Sequence, residues 1–162
     1  MAQLTANRPF PNTLQQRLDL AGGVVVNMVM GTSITIYEGA FVGYVPATGT
    51  VLSLVANTNA FAGIALEKKT SDGTAGSTKI AVFIGGFFTH AITSLVVADV
   101  GKVVFAANGS VDNTLDLSST TFPAVGRVVN FVSAGIGVIR MKECGARAGS
   151  SNSTVVYDAI PL

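Results

Sequence analysis

The stretch Lys79–Asn108, KIAVFIGGFFTHAITSLVVADVGKVVFAAN, constrains the fold more than any other part of this chain. It opens on strict alternation. Ile80, Val82 and Ile84 fall on one side of an extended segment, and Lys79, Ala81 and Phe83 on the other. Gly85-Gly86 then interrupts, and Phe87 to Ile92 resumes an extended pattern. Paired glycines inside a strand pattern mark a bulge or sharp bend, because glycine takes the required dihedrals at low cost. After Leu95-Val96-Val97 a short turn, Ala98 to Lys102, feeds a new strand at Val103–Ala106, and Asn108-Gly109 is a hairpin signal. The stretch predicts two strands bent around a core and joined by a tight connection.

The rest of the chain punctuates in the same way. Val24–Val26, Ile34–Tyr37, Ala40–Val45, Val51–Val55 and Phe61–Leu66 are short apolar runs, separated by Gly31-Thr32-Ser33, Glu38-Gly39, Pro46–Gly49 and Asn57–Asn59. A polar loop, EKKTSDGTAGS, runs from Glu67 to Ser77. Val111–Leu117 alternates, and Val125–Val132 with Ile136–Met141 reads as a closing hairpin around Ser133–Gly135. Turn signals every eight to twelve residues between short apolar runs predict a sandwich or barrel. Helical periodicity is confined to one turn near Ala98–Gly101. The expected fold is all-β: a small β-barrel or β-sandwich with an extended N-terminal arm and a C-terminal tail.

Residues 1–19 read as that arm, since Arg8-Pro9-Phe10-Pro11 favours extended backbone and blocks an early helix. Residues 20–141 form the β core. Residues 142–162 combine a linker of small polar residues with an apolar tail, Val155 to Leu162. Ordering about ten residues costs on the order of ten kcal/mol of backbone entropy. Full burial of one large apolar side chain returns about 1.5–3 kcal/mol. Each end is therefore marginal alone and favourable where a neighbour supplies a groove, so the candidate interface anchors are Phe10, Leu14, Val155, Tyr157 and Ile160.

Charge and cysteine content exclude several functions. Charged residues make up 12% of the 162 residues, against about 25% in an average domain. Hydrophobic residues make up 49%, so part of the surface is expected to be covered by copies of the chain or by a partner. Ten basic against nine acidic residues, with no dense Lys/Arg run, argue against nucleic acid. The longest apolar run, Leu20 to Met30, carries Asn27 and falls short of a bilayer span. The polar start, MAQLTANRPFPNTLQQ, lacks a secretory h-region, so synthesis in the cytoplasm as a soluble protein is expected.

Catalytic patterns are missing. His90 is the single histidine, which removes His-based metal clusters and reads as a packed or interface side chain beside Phe88 and Ile92. Cys144 is the single cysteine and lies in a Gly- and Ser-rich linker that would position a nucleophile poorly. Glu67, Asp72, Asp99 and Asp112 lie at turns, where short polar side chains bond the backbone, and Asp116 sits in an alternating run. Gly135-Ile136-Gly137 lacks the strand–turn–helix setting of a dinucleotide loop. Asn108-Gly109-Ser110 and Asn152-Ser153-Thr154 are chance glycosylation matches in a chain without a secretory signal. The chain is read as a non-enzyme that holds no cofactor and no metal.

Phe61-Ala62-Gly63-Ile64-Ala65, Lys79–Val82 running into Gly86-Phe87-Phe88, Ala98–Phe105, the turn at Asn108-Gly109, and Val125-Gly126-Arg127-Val128-Val129 follow one another in this order. That order resembles the small capsid decoration (cement) proteins of tailed bacteriophages. It covers roughly residues 20–141, and its most specific part is ADVGKVVF followed by VGRVV. The resemblance implies a compact β-barrel or sandwich, assembled as an oligomer, often a trimer, on the outer surface of the virion head. It also implies the major capsid protein as partner. The longer arm and tail set this chain apart from the shortest members. The alternative is a head or tail fibre domain binding a host surface glycan or receptor. With no Trp and three Tyr, the chain is poor in the aromatic groups such sites favour.

Overall fold

A computed structural model describes residues 24–54, 59–106, 115–118 and 123–141, together with Asn7. Apart from Asn7, the predicted arm and tail lie outside the described residues, as do all five anchors Phe10, Leu14, Val155, Tyr157 and Ile160.

The fold is all-β. Eleven strands are described: β1 (Val24–Val29), β2 (Thr35–Ile36), β3 (Phe41–Val45), β4 (Thr50–Ser53), β5 (Ala60–Ala65), β6 (Lys69–Thr70), β7 (Lys79–Ala91), β8 (Val103–Ala106), β9 (Leu115–Asp116), β10 (Ala124–Ser133) and β11 (Ile136–Met141). A 3₁₀ turn, Val97–Asp99, lies between β7 and β8. One sheet runs in the order β4-β3-β5-β7-β11-β10-β8-β9, with β1 also on β7, and β2 pairs separately with β6.

The strand over Lys79–Ala91 is continuous through both glycines and spans 13 residues. Its first half pairs with β1 and β5, and its second half, from Gly86, pairs with β11. The ladder to β1 slips at this point, because Val24 faces Gly85 while Val25 faces Phe83. Gly86 carries φ 121°, a conformation that suits glycine. The slip changes side-chain parity: Phe83 and Phe88, five residues apart, enter the same buried cluster. The Gly-Gly signal therefore marks the place where one strand passes between two layers.

Those layers enclose two cores. In the first, β1, β7, β5, β3 and β4 pair in succession, and a parallel bridge between Met30 and Val51 joins the two ends into a ring. Met30, Val42, Val51, Ala62, Ala65, Ile80 and Val82 form one cluster with Ile36 and Ala40. The second core lies against the other side of these strands. Phe41, Phe61, Ile64 and Phe83 meet Phe88, Val104, Val125, Val128, Ile139 and Met141 from the second half of the sheet. Strands β3, β5 and β7 thus contribute alternate side chains to opposite cores, the pattern of strands buried on both faces.

Several expectations need correction. The Glu67–Ser77 segment is not wholly a loop: Lys69-Thr70 pairs with Thr35-Ile36, and Ser71 bonds Ile34 through backbone and hydroxyl. The two strands expected on either side of the Ala98–Lys102 turn both form, as β7 and β8, but the connection between them runs from Ile92 to Lys102, longer than the tight one expected, and β8 pairs with β10 and β9. Residues of the connection bond instead to β9, β10 and the β10–β11 turn: Thr93 donates to Leu115, Gly101 to Val128, and Leu95 accepts from Gly135. The closing hairpin, Val125–Val132 against Ile136–Met141, forms as expected. The Asn108-Gly109 turn lies outside the described residues, while β8 and β9 pair antiparallel.

Candidate interaction surface

The polar residues singled out in the sequence serve local structure. His90 is half-buried; its ring packs 5.2 Å from Phe41 and 6.0 Å from Phe88, and Nδ1 lies 3.0 Å from the Ala91 carbonyl oxygen. Asp72 accepts from the Thr74 N–H at 2.9 Å and from the Ser77 hydroxyl, which lowers its pKa, the hydroxyl being the larger cause. Asp116 accepts from the Ser118 N–H and hydroxyl. Glu67 accepts from the Ala81 N–H and pairs with Lys69 at 3.5 Å. Asp112 and Cys144 lie outside the described residues. Among the described residues, no three His, Cys, Asp or Glu side chains gather to hold a metal ion, and no helix is long and apolar enough to cross a membrane.

What the fold does build is a turn and a hairpin, hydrogen-bonded to each other, that leave several aliphatic side chains exposed. Asp99 organises the turn. Its carboxylate is buried and accepts from the Val96 N–H at 2.9 Å and from Lys102 Nζ at 2.7 Å. The Lys102 hydrogen bond is the first cause of a lowered pKa, followed by the Val96 N–H. The turn is then tied to β10 and its hairpin: Gly101 donates to the Val128 carbonyl, Val128 to Lys102, Gly135 to Leu95, and the Arg127 guanidinium to Gly101. Leu95 points inward at 1% exposure, while Val97 stands at 66% and Val96 and Val100 are also exposed.

Two slips in the β10–β11 ladder add to these exposed side chains. The register jumps from Val128 to Asn130 and from Phe131 to Ser133, leaving Val129 and Val132 as the extra residues. Both are exposed, as is Ile136 across the hairpin. A bulge turns the side chain of the added residue off the ladder's alternation. Sequence reading missed this group. The available signal was a turn, Val96–Val100, holding three valines where polar residues are the rule.

The outward face of β10 and β11 carries a second feature. Gly126, Val128, Ile139 and Phe88 lie on or over the core, so the residues between them point away. Arg127 faces Arg140, and Arg140 faces Phe87, in one row across β10, β11 and β7. All three are exposed, Phe87 at 37%.

Together these features define an all-β scaffold with aliphatic and arginine side chains exposed on one half of its sheet. No protein-family profile matches the chain, and no curated protein matches it. Among solved structures, the head fiber gp8.5 N base of bacteriophage phi29 resembles it at a TM-score of 0.45 and 12% identity. The alignment covers 76% of this chain and 98% of that one.

Proposed function

We propose that this chain is a structural virion protein that decorates and stabilises the outside of a bacteriophage capsid, bound to the major capsid protein lattice and assembled as a homotrimer. The observation that carries the reading is the exposed aliphatic group Val96, Val97, Val100, Val129, Val132 and Ile136, held on a hydrogen-bonded turn and hairpin. Monomers seldom leave such a group uncovered. The resemblance of the motif order to that of decoration proteins supports the same reading.

Magnitudes agree with a lattice role. Six aliphatic side chains about half exposed, at about 1.5–3 kcal/mol for full burial of each, yield on the order of 4–9 kcal/mol gross. Association itself costs about 4–15 kcal/mol. One such contact is weak, and contacts repeated over a shell add through multivalency. The test is co-sedimentation of the purified chain with heads lacking it, together with sedimentation velocity of the free chain. Head binding by an oligomer, weakened by Val97→Lys and Val132→Lys without loss of folding, is the expected result. Failure to bind heads, combined with selective binding on a glycan array, would replace this reading with that of a fibre domain.

A further inference from the structure

We propose that the outward row Phe87–Arg140–Arg127 is the docking site for a carboxylate-bearing segment of a partner protein. The inference deepens the proposed function, since it names a contact surface, but it stands on separate observations. Arg127 and Arg140 are direct cross-strand neighbours on an exposed face. Like charges placed opposite one another destabilise a sheet. In a chain with so few charges, this register position brings two guanidinium groups together on one exposed face. Arg127 is engaged locally, donating to the Gly101 carbonyl oxygen. Arg140 makes no ion pair with any described residue.

The surroundings select the occupant. Phe87 flanks Arg140 on one side, and Val138, two residues before Arg140 and paired with Thr89, continues the same face. On the far side Val103 flanks Arg127. Asp116, on this face, sits opposite Phe105 and already accepts two hydrogen bonds from Ser118, and Asp99, in the turn to which Arg127 donates, is taken by the Val96 N–H and Lys102. Guanidinium groups bind carboxylates through paired, charge-assisted hydrogen bonds. Arginine and aromatic side chains are also the groups that dominate protein interfaces. A nucleic acid is a poorer match, because two cations amid apolar neighbours neutralise few phosphates.

The experiment uses the full chain and a labelled short peptide alternating Glu and Val, followed by fluorescence anisotropy. A Lys–Val peptide of equal length and a single-stranded oligonucleotide serve as controls. The Glu–Val peptide is expected to bind best, with affinity falling as salt rises. Arg140→Gln should weaken it about tenfold and flatten the salt dependence. Lys68→Gln, far off that row, should leave binding unchanged. Phe87→Ser should weaken both peptides while thermal unfolding stays cooperative. Equal binding of the two peptides, preference for the oligonucleotide, or an Arg140→Gln variant that binds like wild type would each overturn the proposal. A chain that binds the Glu–Val peptide selectively yet fails to bind heads would keep this site and remove the capsid reading.

Discussion

Three glycine-to-alanine changes separate steric overlap from backbone strain in this fold. At Gly126 an added Cβ would overlap the Arg140 carbonyl oxygen and come within 2.9 Å of Ile139 Cγ2. At Gly76 nothing lies within 4 Å, but φ is 82°. Gly63 combines both: φ is 154°, and the new atom would overlap the Phe83 carbonyl oxygen and meet Val82 Cγ1 at 2.6 Å. Overpacking a dense core costs about 1–3 kcal/mol, more where backbone must move. Strained backbone costs about 1–3 kcal/mol per residue. The loss of unfolded-state freedom on replacing glycine offsets about 0.4–1 kcal/mol. Gly76→Ala is therefore expected to cost about 1 kcal/mol, Gly126→Ala about 2–3 kcal/mol, and Gly63→Ala about 3–5 kcal/mol. The last is a large fraction of a typical stability of about 5–15 kcal/mol. Urea unfolding followed by circular dichroism measures each, the chain having no Trp to follow. If Gly63→Ala and Gly126→Ala both unfold within about 1 kcal/mol of wild type, the close approaches of β5 to β7 and β10 to β11 do not govern the packing.

The remaining predictions concern pH, the strand crossing and the chain ends. Asp72 and Asp99 both have carboxyl groups held below the ordinary value of 3.8. Their contribution to stability is thus present above that value and lost as pH falls through the lower folded-state values. Melting temperatures should stay level near neutral pH and fall below about pH 4, with a smaller fall in Asp99→Asn. At the strand crossing, Gly85→Ala should be tolerated, since its Cβ would meet only Val24 at 3.8 Å, while Gly86→Ala should lower the urea midpoint because of its positive φ. Deletion of residues 1–14 or 150–162 should leave the β core folded by circular dichroism and weaken oligomerisation or head binding. Binding as tight as the full chain in both truncations would make the ends passive.

Local signals fixed the strands and their turns in the sequence. Alternation in Ile80-Ala81-Val82-Phe83-Ile84, the β-branched run at Val24–Val26 and the turn residues at Pro46–Gly49 and Ser133–Gly135 each act over a few residues, so their meaning does not depend on distant partners. The Gly85-Gly86 interruption was legible for the same reason, as a backbone irregularity. Its consequence was not. That Phe83 and Phe88 share one core, while Ile80 and Val82 enter another, depends on β7 exchanging β1 and β5 for β11. No periodicity encodes a change of partner.

The interaction surface was decided by tertiary structure almost entirely. Val129 and Val132 look like ordinary strand residues in the sequence, and become exposed only because β10 slips twice against β11. Val96, Val97 and Val100 lie at a turn already legible in the sequence, but their outward direction is set by Asp99 closing that turn and by its backbone hydrogen bonds with β10. Arg127 and Arg140 are separated by a hairpin, and only antiparallel register sets them side by side. The sequence by itself determined the all-β class and the turn chemistry of Asp72 and Asp99, because composition and short-range spacing suffice for those. Which apolar residues are buried and which are offered to a partner depended on strand order and register. Those are set by contacts between residues far apart in the chain, where a shift of a single residue exchanges the two faces of a strand.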